Sequence, residues 1–263
     1  MKIVNFQYNT ELIFSSPASE HSFLLRIVPQ SDDRQCIKKI SWHVEPSAVV
    51  WRASGNFGNE ALAGRIAAAH DYFSFGIQGT AEISSECSTV CHEPDRILLY
   101  PTELTQADGK LMDFYNRLNA SASAEGLEKL QRVQYFSRCV HDHLRYERGV
   151  TVNSTTAAEA FDMGAGVCQD YAHILLALLR LDGIPCRYVA GLASDYGETH
   201  AWVEAWLAGR YHGIDPTRDT LINEGYLALS RGRDFEDCSI ERGIFKDACR
   251  GTQTIKLSME FSQ

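Results

Sequence analysis

Two rhythms divide the chain. From Met1 to about Tyr100, apolar and polar positions alternate in short runs. Ser22–Val28 and Ile37–Val44 have this pattern and are rich in β-branched and aromatic residues, the signature of half-buried strands. Turn residues punctuate them at Ser15-Ser16-Pro17, at Pro29 to Asp33 and at Gly55-Asn56-Phe57-Gly58-Asn59. Short strands with such turns predict an antiparallel β-sandwich. The stretch Ala61 to Ala69 has helical propensity. It lies between strand-like neighbours, with aromatics alternating again over Tyr72–Ile77, and it reads as strand.

From about Thr105 the period lengthens. Apolar residues recur at helical spacing over Leu111–Leu118 and Leu127–Leu144 (Leu127, Leu130, Val133, then Phe136, Val140, Leu144). Thr156-x-x-Glu159 is a capping box that opens a short helix over Ala157–Met163. Gly164-Ala165-Gly166 breaks it. A second helix starts at Val167 or Cys168, runs to Leu181, and is stopped by Gly183 and Pro185. Strands follow over Cys186–Leu192, His200–Trp206, Tyr211–Asp215 and Thr252–Phe261. The change of rhythm places a boundary near Pro101. The expectation is an α+β protein: an N-terminal sandwich, 1–103, before a second unit, 104–263, in which a helix packs on an antiparallel sheet.

Composition narrows the function classes. At roughly 150 residues per domain, 263 residues suggest about one or two domains. Lys+Arg 25 against Asp+Glu 34 gives a net charge of −9, which argues against a nucleic-acid partner. The longest apolar stretch, Ile174–Leu179, is far shorter than the ~18 residues of a membrane span. Met1–Tyr8 alternates and lacks the continuous apolar core of a signal peptide. The expected location is therefore the cytoplasm, with no membrane partner. The eight cysteines (36, 87, 91, 139, 168, 186, 238 and 249) are scattered and form no Cys-x-x-Cys pair, so reduced thiols are expected. Cys87-x3-Cys91-His92 offers two or three ligands but no partner at zinc-finger spacing, and it reads as a pair of loop thiols. His141 and His143, with Cys139 nearby, do not read as a metal site, because on a helix i and i+2 point apart. Arg231-Gly232-Arg233 is too short for a nucleic-acid patch and reads as a solvated or substrate-facing loop.

Three residues carry the chemistry. Cys168 follows a Gly-x-Gly break at the first turn of a helix, where free N–H groups and the helix dipole stabilise a thiolate. His200 opens an alternating segment that puts His200, Trp202, Glu204 and Trp206 on one face and Ala201, Val203 and Ala205 on the other. Asp215 ends the next strand. A four-residue hairpin loop at 207–210 would pair positions summing to 417. Asp215 would then face Trp202, with His200 its diagonal neighbour on the same face; a three- or five-residue loop would turn Asp215 away. Thiolate, base and orienting carboxylate form an activated nucleophile.

Gly166-Val167-Cys168-Gln169-Asp170-Tyr171-Ala172, Arg180 with Gly183-Ile184-Pro185-Cys186-Arg187-Tyr188-Val189-Ala190-Gly191, His200-Ala201-Trp202-Val203-Glu204 and Ile214-Asp215-Pro216-Thr217 together resemble the bacterial transglutaminase-like superfamily. The match is dense over Tyr146–Thr217, extends through Gly232-Arg233-Asp234 and Arg242-Gly243, and is weaker over the N-terminal hundred residues. The resemblance implies a papain-like core with Cys168, His200 and Asp215 in the catalytic positions, no cofactor or metal, and a peptide or protein amide as substrate. Hydrolysis by a cysteine peptidase or amidase is the leading expectation. Acyl transfer to an amine uses the same three residues, and a non-catalytic peptide-binding module or a metalloenzyme are the rivals. Trp202 and Trp206 are candidate walls of an acyl groove. The N–H of Cys168 is the first oxyanion donor, with Tyr146 and Gln169 as guesses for the second.

Overall fold

The structure is a computed structural model that describes residues 1–85, 93–195, 197–247 and 251–262. Cys87, Cys91, His92 and Cys249 lie outside the described residues. The first sheet is organised by one long strand, β1 (Lys2–Val28). Its N-terminal half pairs with β5 (His70–Ile83), which in turn pairs with β2 (Gln35–Glu45). Its C-terminal half pairs with β4 (Glu60–Ile66), which carries β3 (Val49–Ser54) at the edge. Pro17, read as part of a turn, instead lies inside β1 where the pairing register with β5 shifts between Ile13 and Ala18. A proline lacks the ladder donor, and such an irregularity is where a strand tolerates one. Of the stretch Ala61 to Ala69, the part to Ile66 is strand, as its neighbours predicted, and residues 67–69 form the connection to β5.

The second unit begins with α1 (Gly109–Ala124) and α2 (Lys129–His143). The short strand β6 (Arg145–Tyr146) follows, then α3 (Ala157–Met163), β7 (Ala165–Gly166) and α4 (Cys168–Leu181). The remaining strands are β8 (Cys186–Ala193), β9 (His200–Leu207), β10 (Arg210–Asp215), β11 (Thr220–Leu221) and β12 (Tyr226–Gly232). They form an antiparallel sheet in the order β11-β10-β9-β8-β12. Helix α4 is apolar nearly all round and lies at the centre of this core. Its Ile174, Leu175, Leu178 and Leu179 pack against Cys186, Tyr188, Ala201, Val203 and Ala205 of the sheet and Val133 and Phe136 of α2. A helix this apolar is stable only when covered on every side.

After the short helix α5 (Phe235–Cys238), the chain returns to the first sheet. Strand β13 (Glu241–Lys246) pairs with the C-terminal half of β1, and β14 (Gly251–Phe261) pairs with its N-terminal half from Phe14↔Gly251 to Val4↔Phe261. The first sheet thus has seven strands among the described residues and draws on both ends of the chain. Residues 241–261, expected within the second unit, lie in the first sheet instead. Strand alternation marks which face is buried but carries no information on which partner a strand will find.

The two units share surfaces. Leu192, Leu227 and Leu229 of the second sheet join the core formed by Phe6, Tyr8, Leu25, Phe73 and Phe75 of the first. The outer edge of β12 is closed by two buried amides. Gln35 exchanges hydrogen bonds with Ala228 N and O (2.8 and 2.9 Å), and Asn59 does the same with Arg231 N and O (2.8 and 2.6 Å). These side chains satisfy donors and acceptors that an open strand edge would leave exposed. Leu227→Ala is expected to cost about 2–5 kcal/mol and to lower both units in one cooperative step. Urea unfolding of the full chain, followed by far-ultraviolet circular dichroism and tryptophan fluorescence, tests this, and separate transitions would contradict it.

Candidate active site

The segment before α4 is built for a close turn. Gly164 ends α3 with φ +61°, the left-handed conformation that glycine adopts without strain. A Cβ on Gly166 would sit 2.5 Å from Asp170 Oδ2, so only glycine fits there. That Asp170 oxygen accepts from Val167 N at 2.7 Å and from Thr151 Oγ1 at 2.8 Å, which locks the first turn of α4. Burial raises the pKa of Asp170 despite these two donors. Cys168 is the first residue of α4 and is partly exposed. Tyr171 OH donates to Leu144 O at 2.8 Å and anchors the helix to the end of α2.

His200 reaches the same place from the sheet. Strands β9 and β10 pair Leu207 with Arg210, Trp206 with Tyr211 and Val203 with Ile214. These positions sum to 417, the predicted register. The loop itself is the two-residue turn Ala208-Gly209, both with positive φ (+49° and +83°), and it has the same parity as the four-residue loop expected. The parity puts Asp215 on the face of His200, and His200 Nε2 lies 2.7 Å from Asp215 Oδ2 with both side chains fully buried. Cys168 is the imidazole's second side-chain partner. Burial alone would lower the pKa of His200. Hydrogen bonds and charge from Asp215 and Cys168 outweigh burial and raise it from 6.5 to about 9. The structure therefore brings Cys168, His200 and Asp215 together.

Residues 116–216 match the model of the transglutaminase-like superfamily. This segment is a transglutaminase-like core. A candidate cysteine protease from Cytophaga hutchinsonii has the same fold as the whole chain. The two superpose with a TM-score of 0.80 over 100% of this chain and 92% of that one, at 19% sequence identity. An uncharacterized protein of Mycobacterium leprae is 26% identical over 97% of both chains. An uncharacterized protein of Mycobacterium tuberculosis is 36% identical over 121 residues, which are 40% of this chain and 38% of that protein. The transglutaminase-like segment contains all three residues of the array, with Asp215 next to its end.

Sequence reasoning missed two neighbours of Asp215. Tyr226 OH donates to Asp215 Oδ2 at 2.8 Å, and Arg218 Nη1 donates to Tyr226 OH at 3.1 Å. A tyrosine opening a strand carries no local signal that separates it from a core aromatic. The proposed acyl-groove walls are placed differently. Trp202 is buried edge-on against Tyr226, and Trp206 packs edge-on against Tyr211. Gln169 Nε2 is spent on Asn153 O at 3.0 Å, and Tyr146 is partly exposed beside Tyr171. His141 and His143 bond Thr217 O and Phe161 O and tie α2 to neighbouring segments at the edge of the core. Among the described residues no group of His, Cys, Asp and Glu is arranged to hold a metal ion. No helix among them is long and apolar enough to cross a membrane.

Arg231 and Gly232 are strand, not a solvated loop, because β12 pairs with β8 through them, and Arg233 follows in a bend where it bonds Asp237. Arg231 is drawn inward by Glu204, on the same face of β9 as His200. Glu204 Oε2 accepts from Arg187 Nε at 2.7 Å and from Arg231 Nε at 3.2 Å, and Arg231 also meets Asp32 of the first unit. Burial alone would raise the pKa of Glu204, but the charges of Arg231, Arg187 and Arg34 bring it from 4.5 down to about 2. A lowered carboxylate pKa contributes stability above the unfolded value, lost as pH falls through the folded one. Glu204→Gln is expected to cost roughly 3–5 kcal/mol at neutral pH, because two guanidinium groups lose their buried counter-charge. Its effect should shrink as pH drops from about 4.5 towards 2, where the wild type protonates as well. Urea midpoints of both proteins at neutral and acid pH check this.

Proposed function

We propose that the protein is a cysteine-dependent hydrolase of peptide or amide bonds, with Cys168 as nucleophile, His200 as acid and base, and Asp215 as the orienting carboxylate. The observation that carries this reading is the shared location of a partly exposed thiol at a helix N-terminus and a buried imidazole held by a carboxylate at 2.7 Å. With Nε2 committed to Asp215, Nδ1 is the ring nitrogen available to the thiol. A raised imidazole pKa favours transfer of the thiol proton, giving a thiolate and an imidazolium. The thiolate attacks the amide carbonyl, and the developing oxyanion turns to the N–H of Cys168 at the positive end of α4. Collapse expels the amine, which takes its proton from His200 Nδ1. Water, deprotonated by the same nitrogen, then releases the acid and the free thiol.

Three of the other four described thiols, Cys139, Cys186 and Cys238, support the choice of Cys168. Burial pushes Cys186 up to about 11, raises Cys238 further, and raises Cys139 as well. A buried neutral thiol is a poor nucleophile. Brief exposure to iodoacetamide at pH ~6 should label Cys168 first, as read by peptide mass spectrometry. Dominant labelling elsewhere would remove the thiol from its proposed role. With a peptide substrate found from a mixed library, Cys168→Ala and Cys168→Ala/His200→Ala should lose similar activity, because members of one unit are not additive. Asp215→Asn should lose less. Water at roughly 55 M wins the thioester unless an amine is bound beside it. An acyl donor with millimolar primary amine should therefore yield mainly free acid. A majority of amide product would make the protein a transferase.

A further inference from the structure

The carboxylate that holds His200 also accepts from other groups. Asp215 Oδ1 accepts from Thr217 N at 2.9 Å. Oδ2 accepts from His200 Nε2 at 2.7 Å and from Tyr226 OH at 2.8 Å, and Arg218 Nε stands 3.7 Å away. We propose that Tyr226 is a positioning residue of the active site: by donating to the same oxygen as the imidazole, it fixes the plane of Asp215 and limits how strongly Asp215 holds the His200 proton. The proposal rests on the hydrolase reading given above, in which His200 must hold a proton and then give it up.

The direction of each bond follows from the chemistry of the groups. An ionised carboxylate only accepts and a guanidinium only donates. Tyr226 OH lies between Asp215 and Arg218, so its proton points at Asp215 and its lone pair receives Arg218. The phenol cannot turn aside. Its ring is buried, with Trp202 edge-on at 5.4 Å and the Arg218 guanidinium over its face at 5.7 Å. Arg218 is itself held by Asp195, in the loop that leads into His200. Burial and Asp215 both raise the pKa of Tyr226, which keeps the phenol protonated and donating.

Two donors on one oxygen share its charge. The phenol and the nearby cation draw density from Oδ2 and weaken its pull on the imidazolium. Among the described residues, the charged and titratable groups facing His200 include Cys168 from α4, Asp215 from β10, Tyr226 from β12 and Arg218 from the 216–219 turn. Strand β8 presents Gly191 opposite His200. Glu204, farther along β9, is compensated by Arg187 and Arg231. Loss of the Tyr226 hydroxyl should therefore raise the pKa of His200, whereas general loosening of the site would expose the imidazole and bring it back towards its ordinary value.

The test uses the full-length wild type, Tyr226→Phe and Arg218→Gln. The His200 ring is titrated by NMR, its resonance assigned by comparison with His200→Gln, and Cys168 alkylation by iodoacetamide is followed on the same samples. The expected result is fast alkylation of wild-type Cys168 at pH ~6, with a His200 midpoint roughly half a unit or more higher in Tyr226→Phe. Arg218→Gln should shift the midpoint in the same direction, and it keeps the question answerable if Tyr226→Phe does not fold. An unchanged or lowered midpoint beside a reactive wild-type Cys168 overturns the role of Tyr226 and leaves the hydrolase reading standing. A wild-type Cys168 no faster than the other thiols overturns the hydrolase reading and, with it, this inference.

Discussion

The two-residue turn at Ala208-Gly209 sets the phase of everything that meets at His200. Side chains of a strand alternate with period two, so a slip of one residue between β9 and β10 would send Asp215 to the face occupied by Ala201 and Val203. That face is filled by α4, where an ionised carboxylate would have neither water nor a partner. The cost of such a slip falls on the whole core, not only on the site. Packing of α4 against Ala201, Val203 and Ala205 therefore enforces the same register that the His200–Asp215 hydrogen bond requires. Stability and site geometry are selected by one choice of turn.

The face of the second sheet away from α4 is handled in a different way. It carries Trp202 and Glu204 side by side, one apolar and one charged. Trp202 is covered by Val189, Ala193, Ile222 and Tyr226. Glu204 is neutralised by Arg187 and Arg231, and through Arg231 by Asp32 of the first unit. The amides of Gln35 and Asn59 close the neighbouring strand edge, again from the first unit. The N-terminal sheet thus completes the second sheet where that sheet alone would leave a charge and a row of backbone groups unsatisfied. An independent N-terminal module joined by a linker would not supply these partners.

Much of this was legible in the chain. The capping box at Thr156, the Gly-x-Gly break and the Gly183-Pro185 stop are local signals, and α3 and α4 begin and end where those signals stand. The β9–β10 register followed from parity alone, although the turn proved shorter than expected. What could not be read is of two kinds. The return of β13 and β14 to β1 is a pairing between segments more than 200 residues apart, and alternation is the same whichever strand lies alongside. Tyr226 and Arg218 act by converging on Asp215 from a strand start and a turn, and neither residue type nor spacing marks that convergence. The inward turn of Arg231 was hidden for a related reason. Two arginines flanking a glycine look solvated until the carboxylate of Glu204 is placed beneath one of them.

Burial by itself does not make a reactive group here, and two histidines on the same core show why. His173 of α4 is fully buried, accepts from Phe235 N at 3.2 Å through Nε2, and stands in the field of Arg180. Burial and that cation drive its pKa down to about 3, so it remains a neutral acceptor. His200 is equally inaccessible, yet its Nε2 meets a carboxylate and its pKa moves the other way, to about 9. The same division separates the thiols. Cys186 and Cys238 are sealed in the core and held protonated, whereas Cys168 lies partly exposed at a helix start with an imidazole beside it. The low-dielectric interior amplifies whatever charge is placed next to a group. The chemistry of this fold therefore depends on which partner each buried side chain is given, and the β9–β10 register gives the carboxylate to His200.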